Sequence, residues 1–408
     1  MSMPELLIPA GSLEVVKTAV RYGADAVYVG GEAFGLRAKA KNLSCDELRE
    51  AVEYCHARGK KIYVTTNVIA HEGSMEAFRS YLEQIRNIKP DAVIVADPGA
   101  FSVAKEVLTG EVAIHISTQA NNVNAETFQF WYSLGAERVV CGRELSLAEI
   151  QAIRSKLPEG AEIEAFIHGA MCISYSGRCL LSAFLTGREA NLGACTHPCR
   201  WKYAVVEESR PGQYMPVEED DNGTYIFNSR DLCMIEHIPE LLASGIDSLK
   251  VEGRMKTALY VAIVTRAYRQ AIDTCMRDPE EYRRNISQYL SEIQKSAARD
   301  YTTGFFFGRP GSEAQSYENS QNGRESVYLG TIAKLYSDGT AEFLQKNKFS
   351  VGDTILVMKP DGRNLPVSVL EMYDEEGEPI PSCPHASRMV RVRLSELPEI
   401  GDIMRTDL

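Results

Sequence analysis

Apolar residues in the first three-quarters of the chain alternate between two patterns. Short runs rich in β-branched residues lie at Leu6–Pro9, Ala26–Gly30, Lys61–Thr66, Ala92–Ala96, Val112–Ile116, Arg138–Cys141, Glu162–Ile167 and Ser248–Glu252. Between them, stretches such as Leu13–Tyr22, Cys45–Arg58, Ser74–Ile88 and Leu147–Lys156 repeat apolar positions at helical spacing. This alternation predicts parallel strands joined by crossover helices. The junctions repeat too: Gly23-Ala24-Asp25, Gly135-Ala136-Glu137 and Gly245-Ile246-Asp247 each place a glycine where a helix ends and an acid just before the next strand. Eight such units predict an α/β fold, a (β/α)8 TIM-like barrel.

The seventh unit is interrupted. Roughly sixty residues separate the strand ending near Ile167 from a helix expected to start near Asp231. After the eighth strand, Thr257–Cys275 reads as a helix, followed by a charged helical stretch to about Arg299. From Val327 the period changes to short alternating strands with turns at Ser337-Asp338-Gly339, Gly352-Asp353 and Pro360-Asp361-Gly362. The expected organisation is a barrel domain over 1–324 with a cysteine-rich insertion at about 168–230, then a small C-terminal β-barrel over 325–408.

Composition narrows the class. The 408 residues are 44% hydrophobic and 25% charged, enough apolar surface for a sizeable core and too much for a disordered chain. No run approaches a membrane span, and the N-terminus lacks the basic-then-apolar pattern of a secretory leader, so a cytoplasmic protein without membrane contact is expected. A net charge of −12 argues against a broad nucleic-acid-coating surface and confines any RNA site to a local cleft.

In such barrels chemistry sits at the C-terminal ends of the strands. Those ends are polar here: Gly30-Gly31-Glu32, Thr65-Thr66-Asn67, Asp97, Ser117-Thr118-Gln119, Arg143-Glu144, His168-Gly169 and Glu252-Gly253-Arg254. The insertion adds Cys172-x6-Cys179-x15-Cys195-x3-Cys199. In a reducing compartment four clustered thiols suggest a metal or cluster site rather than disulfides. Uneven spacing suits an iron–sulfur cluster better than zinc, whose knuckles are usually closely paired, and a set of reduced structural cysteines is the remaining alternative. Cys233 either replaces one ligand, such as Cys199, or is buried. Around the insertion, Arg178, Arg188, Arg200, Lys202, Arg230, Lys250, Arg254 and Lys256 mix with Tyr175, Trp201 and Tyr203, a composition able to hold phosphates and stack bases, or simply to be solvated. In the C-terminal part, Lys334, Lys346, Lys348, Lys359, Arg363, Arg388, Arg391 and Arg393 are offset by many acids, so an RNA platform and a packing role are both open.

The segment Glu164-Ala-Phe-Ile-His168-Gly-Ala-Met-Cys172, continued by Ile-Ser-Tyr-Ser-Gly177-Arg-Cys179-Leu-Leu-Ser182, resembles the signature of the collagenase-like peptidase family U-32. Leu7-Ile-Pro9-Ala10-Gly11, Asp25-Ala-Val-Tyr28-Val-Gly30-Gly31 with Arg37 and Asn42, and Lys250-Val-Glu252-Gly253-Arg254-Met255 extend the resemblance over roughly residues 4 to 310. Despite its name, the family includes oxygen-independent hydroxylases that carry a 4Fe-4S cluster. The form Gly193-Ala-Cys195-Thr-His-Pro-Cys199-Arg-Trp201 is most similar to its tRNA-modifying members. That resemblance implies hydroxylation of the wobble uridine in the tRNA anticodon region to 5-hydroxyuridine, with prephenate as a required metabolite and Cys172, Cys179, Cys195 and Cys199 as cluster ligands. A second family member is a conceivable partner.

The role assignments are expectations. Arg143, Arg254 and Arg37 are candidates to bind carboxylates of a small acid, because guanidinium groups do so bidentately. His168 and Glu252 are candidates for proton transfer, with Arg254 beside the latter. Two other readings remain: a thiol or metal peptidase, with His168 as base to Cys172 or another thiol, and a non-catalytic RNA-binding protein whose cluster is structural. No Gly-x-Ser-x-Gly elbow, zinc helix or phosphate-binding glycine loop is present.

Overall fold

The computed structural model describes residues 3–35, 42–172, 230–297, 299–310 and 326–407. Within the insertion it describes 174–175, 179–188, 190, 194–201, 204–206 and 214–216. Strands and helices alternate as β1 (Glu5–Ala10), α1 (Leu13–Arg21), β2 (Ala26–Gly30), α2 (Cys45–His56), β3 (Lys61–Thr65), α3 (Met75–Ile88), β4 (Ala92–Val95), α4 (Pro98–Leu108), β5 (Ala113–Ile116), α5 (Ala125–Ser133), β6 (Arg138–Val140), α6 (Leu147–Arg154) and β7 (Glu162–Gly169). The insertion contributes α7 (Leu181–Thr186), β8 (Ala204–Val206) and β9 (Tyr214–Pro216). Then follow β10 (Asp231–Cys233), α8 (Ile238–Ala243), β11 (Ser248–Val251), α9 (Ala258–Arg277), α10 (Pro279–Gln294) and β12 (Tyr301–Thr302).

Strands β1 to β7 pair in parallel order, and β11 closes the circle by pairing with both β1 and β7. This is the eight-stranded TIM-like barrel that the eight apolar runs predict. One expectation fails. Asp231 starts no helix; β10 lies antiparallel on β7, pairing Cys233 with His168, and the helix begins only at Ile238.

The glycine-acid junctions have a visible cause. Gly23, Gly135 and Gly245 have φ of 110°, 98° and 79°, the left-handed region in which a helix turns off and a side chain is strained. At two of these junctions the acid, Asp25 and Asp247, accepts the backbone N–H of Leu6 and of Ile163 on the neighbouring strand at 3.1 and 2.7 Å, and Asp91, after the left-handed Lys89, does the same for Ile62 at 2.8 Å. Each acid thus fixes the start of one strand against the next.

Alternate strand residues face the barrel interior. On one side these are Leu7, Tyr28, Tyr63 and Ile94, an apolar layer separate from the large core between strands and helices. On the other side they are charged: Glu164, fully buried, accepts from Lys250 Nζ at 2.6 Å and from Arg138 Nη1 at 3.1 Å. Arg138 also holds Glu5 at 2.6 Å and Glu162 at 2.7 Å.

The C-terminal residues form β13 (Ser326–Leu335), β14 (Ala341–Leu344), β15 (Thr354–Met358), β16 (Asn364–Tyr373), β17 (Met389–Leu394) and β18 (Ile403–Asp407). They close an antiparallel barrel around Leu329, Phe343, Val357, Val369 and Val392. It packs on the outer helices of the large barrel. Tyr22 Oη donates to Met358 O at 2.6 Å and accepts from Ile403 N at 3.1 Å, and the fully buried Arg405 bonds Glu292 at 2.8 Å. Among the described residues no helix is long and apolar enough to cross a membrane.

Candidate functional site at the barrel mouth

The polar strand ends do gather at one rim, but in two sectors. Arg254, buried just beyond β11, donates from Nη1 to Thr65 Oγ1 at 2.5 Å, which brings its guanidinium to the ends of β2 and β3. Gly30 makes room for it: a Cβ there would lie 2.4 Å from Arg254 Nη1 and 2.8 Å from Asn42 Oδ1. Gly30→Ala is therefore expected to displace Arg254 and lower turnover at least tenfold while shifting the melting temperature little. Steady-state kinetics beside a thermal melt checks this.

Arg143 belongs to the other sector. Its Nη1 donates to Ala170 O at 2.6 Å, its guanidinium lies 4.0 Å from the Phe166 ring, and its Nε is buried without a partner. It lines a narrow pocket, otherwise mostly apolar, with Cys141, Phe166, Met171, Leu232 and Phe306. Next to it, burial pushes the Glu144 carboxyl above the usual range and leaves Oε2 without a partner. Between the sectors Asn67 Nδ2 donates to Gln119 Oε1 at 2.6 Å, and Asn67 Oδ1 is likewise unpaired. Unmet buried polar atoms are uncommon in native folds. Three of them lie at these strand ends.

His168 sits at the end of β7, 1% exposed, its ring 5.4–6.1 Å from those of Tyr301, Tyr268 and Tyr260. Nδ1 lies 3.4 Å from Tyr268 Oη, and Nε2 has no partner. Burial first, and Lys256 second, lower its pKa to about 3. It is a neutral imidazole at physiological pH. Glu252 is half-buried beside it, its backbone N–H donating to His168 O at 2.8 Å and its carbonyl accepting from Tyr260 Oη at 3.2 Å. His168 and Glu252 are thus neighbours, while Arg254 is anchored to β3. Arg37 lies outside the described residues.

The four insertion cysteines form no disulfide among the described residues, Cys172 exposed and Cys179, Cys195 and Cys199 partly buried. Thr196 N donates to Ser182 Oγ at 3.0 Å, and Thr196 Oγ1 lies 3.2 Å from Thr186 Oγ1, so the segments carrying Cys179 and Cys195 are fastened together. The donor set fits an iron–sulfur cluster in kind. Among the described residues, however, no three His, Cys, Asp or Glu side chains are gathered closely enough to hold a metal. Cys233 is a core residue whose thiol burial pushes up to about 12.

Lys250 corrects the reading of the basic residues around the insertion. It is buried inside the barrel on Glu164, so it is not a phosphate holder. In the C-terminal barrel, Lys359 pairs with Asp402, Arg391 with Asp338, Arg393 with Glu371 and Arg363 with Asp361, so these four of its eight candidate cations already face an acid.

A model described as peptidase family U32 matches residues 11–316, and one described as the peptidase family U32 C-terminal domain matches residues 324–405. The chain belongs to peptidase family U32. Among its relatives in that family is the tRNA hydroxylation protein P1 of Bacillus subtilis (strain 168), 39% identical over 98% of this chain and 94% of that protein. The tRNA hydroxylation protein P of Escherichia coli (strain K12) is 37% identical over 94% of this chain and 92% of its own. A U32 relative named collagenase, from Porphyromonas gingivalis (strain ATCC BAA-308 / W83), is 31% identical over 87% of this chain and 86% of its own.

Proposed function

We propose that this chain is an RNA-hydroxylating enzyme that converts the wobble uridine of tRNA to 5-hydroxyuridine, with prephenate as the small acid required. The observation that carries the reading is the similarity to tRNA hydroxylation proteins along nearly the whole chain, both domains included. Replacing C5–H by C5–OH adds one oxygen atom and removes two electrons from the base; a hydroxylated co-substrate whose C–O bond breaks balances both, since it gives up the oxygen and is itself reduced by two electrons.

Cys172, Cys179, Cys195 and Cys199 are the proposed ligands of a 4Fe-4S cluster. When bound, such a cluster, with each iron held by one of the four thiolates, would supply an electron reservoir. The chain's own residues do the holding. Arg143, whose Nε–H is buried without a partner beside a narrow pocket, and Arg254, fixed by Thr65, are the proposed cations for its carboxylates, one from each sector of the mouth. Glu252 is the better candidate to move a proton, since His168 is held neutral.

The thiol-peptidase reading finds no His168–Cys172 dyad among the described residues. His168 is enclosed by tyrosines, Cys172 is exposed, and no hydrogen bond joins them.

Nucleoside analysis of tRNA tests the proposal, in a strain whose own tRNA hydroxylation genes are deleted. The wild-type chain is expected to restore 5-hydroxyuridine and its Cys172→Ser variant is not. Expressed, folded chain that restores no oxygenated uridine overturns the reading. Anaerobically purified protein is expected to carry about four irons with matching acid-labile sulfide. A Cys172→Ala/Cys179→Ala variant is expected to lose them, with the visible absorption band as readout.

A further inference from the structure

We infer that the exposed apolar face of the insertion is a stacking platform for the unpaired bases of a single-stranded RNA segment. This rests on the RNA reading above and names the surface that takes the RNA.

Helix α7 has two unlike sides. Ser182 and Thr186 face Thr196, with Ser182 fully buried and hydrogen-bonded at 3.0 Å to Thr196 N. The helical period turns Leu180 and Phe184 the opposite way, where they are 73% and 85% exposed. Trp201 follows the short turn Pro198–Arg200 that packs on α7 and is 46% exposed, and Tyr175 is exposed as well. A single exposed apolar side chain needs no explanation. Five large ones within one insertion, Leu185 included, beside a polar barrel mouth, are a surface built to be covered.

Charge selects the occupant. Between Met171 and Tyr203 the sequence carries Arg178, Arg188, Arg200 and Lys202 against Glu189 alone, in a chain whose net charge is −12. Arg188 lies just past the left-handed Gly187 that ends α7, and its Nε is buried with no partner. Aromatic faces that accept any base, beside cations that track phosphates, are how unpaired nucleic acid is held without sequence preference. Bases splayed onto this face leave a neighbouring nucleotide free to enter the mouth.

The test uses the full-length chain and fluorescence anisotropy with a short single-stranded oligouridine, and with the same length of RNA as a duplex. Single-stranded RNA is expected to bind more tightly than duplex. Phe184→Ala and Trp201→Ala are each expected to weaken it roughly 5- to 150-fold, the range for one stacked base. Phe184→Tyr, which keeps the ring, is expected to bind like the wild type, which separates stacking from a disturbed insertion.

Unchanged affinity in both Ala variants overturns the inference. So does a wild-type dimer in sedimentation that Phe184→Ala converts to monomer, because the face then belongs to a second copy. If the wild type hydroxylates tRNA and both Ala variants do so with unaltered KM, only this inference falls. If the wild type yields no oxygenated nucleoside, the RNA reading itself falls.

Discussion

Glu164→Ala is expected to destabilise the barrel by about 3–5 kcal/mol, because it leaves buried cations without their anion. Glu164 is fully buried and holds Lys250 at 2.6 Å and Arg138 at 3.1 Å. Arg138 keeps Glu5 and Glu162, whereas Lys250 loses its only carboxylate among the described residues. Burial already holds the Lys250 ammonium below the usual lysine range, against the pull of Glu164. Urea unfolding measures the loss as a lower midpoint. Replacing both partners by apolar residues of similar size, Glu164→Leu with Lys250→Met, is expected to recover most of it, since the pair's attraction only offsets its desolvation. A single-variant loss below about 1 kcal/mol would mean that water reaches the pair. The change also reaches the site. Lys250 lies 5.3 Å from the Phe166 ring, the same ring that carries Arg143 at 4.0 Å, so a displaced ammonium loosens a wall of the pocket.

This ion pair also marks what the sequence conceals. The eight barrel strands are legible because runs buried by helices outside and by packing inside need β-branched residues, and the turns between them need glycine and aspartate. The reading Ala26–Gly30 for the second strand coincides with β2, and the other seven differ by no more than two residues at either end. Lys250 reads as a surface cation because its partner stands 86 residues earlier in the chain. Arg254 is legible as a mouth residue from its place after the eighth strand, but its anchor Thr65 lies 189 residues away. Strand β10 is missed for a similar reason: three residues carry no period, and only their pairing with β7 makes them a strand. Glu144 is visible as a polar strand end, yet its unpaired oxygen depends on burial that no local pattern encodes. For the cysteines, spacing supplies the donors and their common segment, and it says nothing of how closely the thiols are gathered.

Acid is expected to destabilise the chain steeply, with His168 alone contributing about 3 kcal/mol between pH 6.5 and pH 4. Its pKa in the fold is about 3, against 6.5 for a free imidazole, so between those values the unfolded chain binds the extra proton and the folded one does not. Stability therefore rises with pH. The contribution is fully present above 6.5 and is lost as pH falls toward 3. Around the ring Tyr260, Tyr268 and Tyr301 are neutral, Cys233 is a buried thiol on the paired strand, the half-buried Glu252 next to His168 does not offset the burial, and Lys256 repels a second positive charge. His115, buried beside Tyr63 and near Arg138 and Lys250, is depressed in the same direction and adds to the slope. His168→Phe is expected to flatten the pH dependence by its share, read as the difference between wild-type and variant unfolding free energies at pH 7 and pH 4. An imidazole that titrates near 6.5 in the folded chain, seen by proton NMR, would contradict this. The same burial bears on chemistry. A ring that stays neutral through the physiological range positions and hydrogen-bonds but does not collect protons, so the pH–rate profile is expected to lack a His168 limb near 6.5.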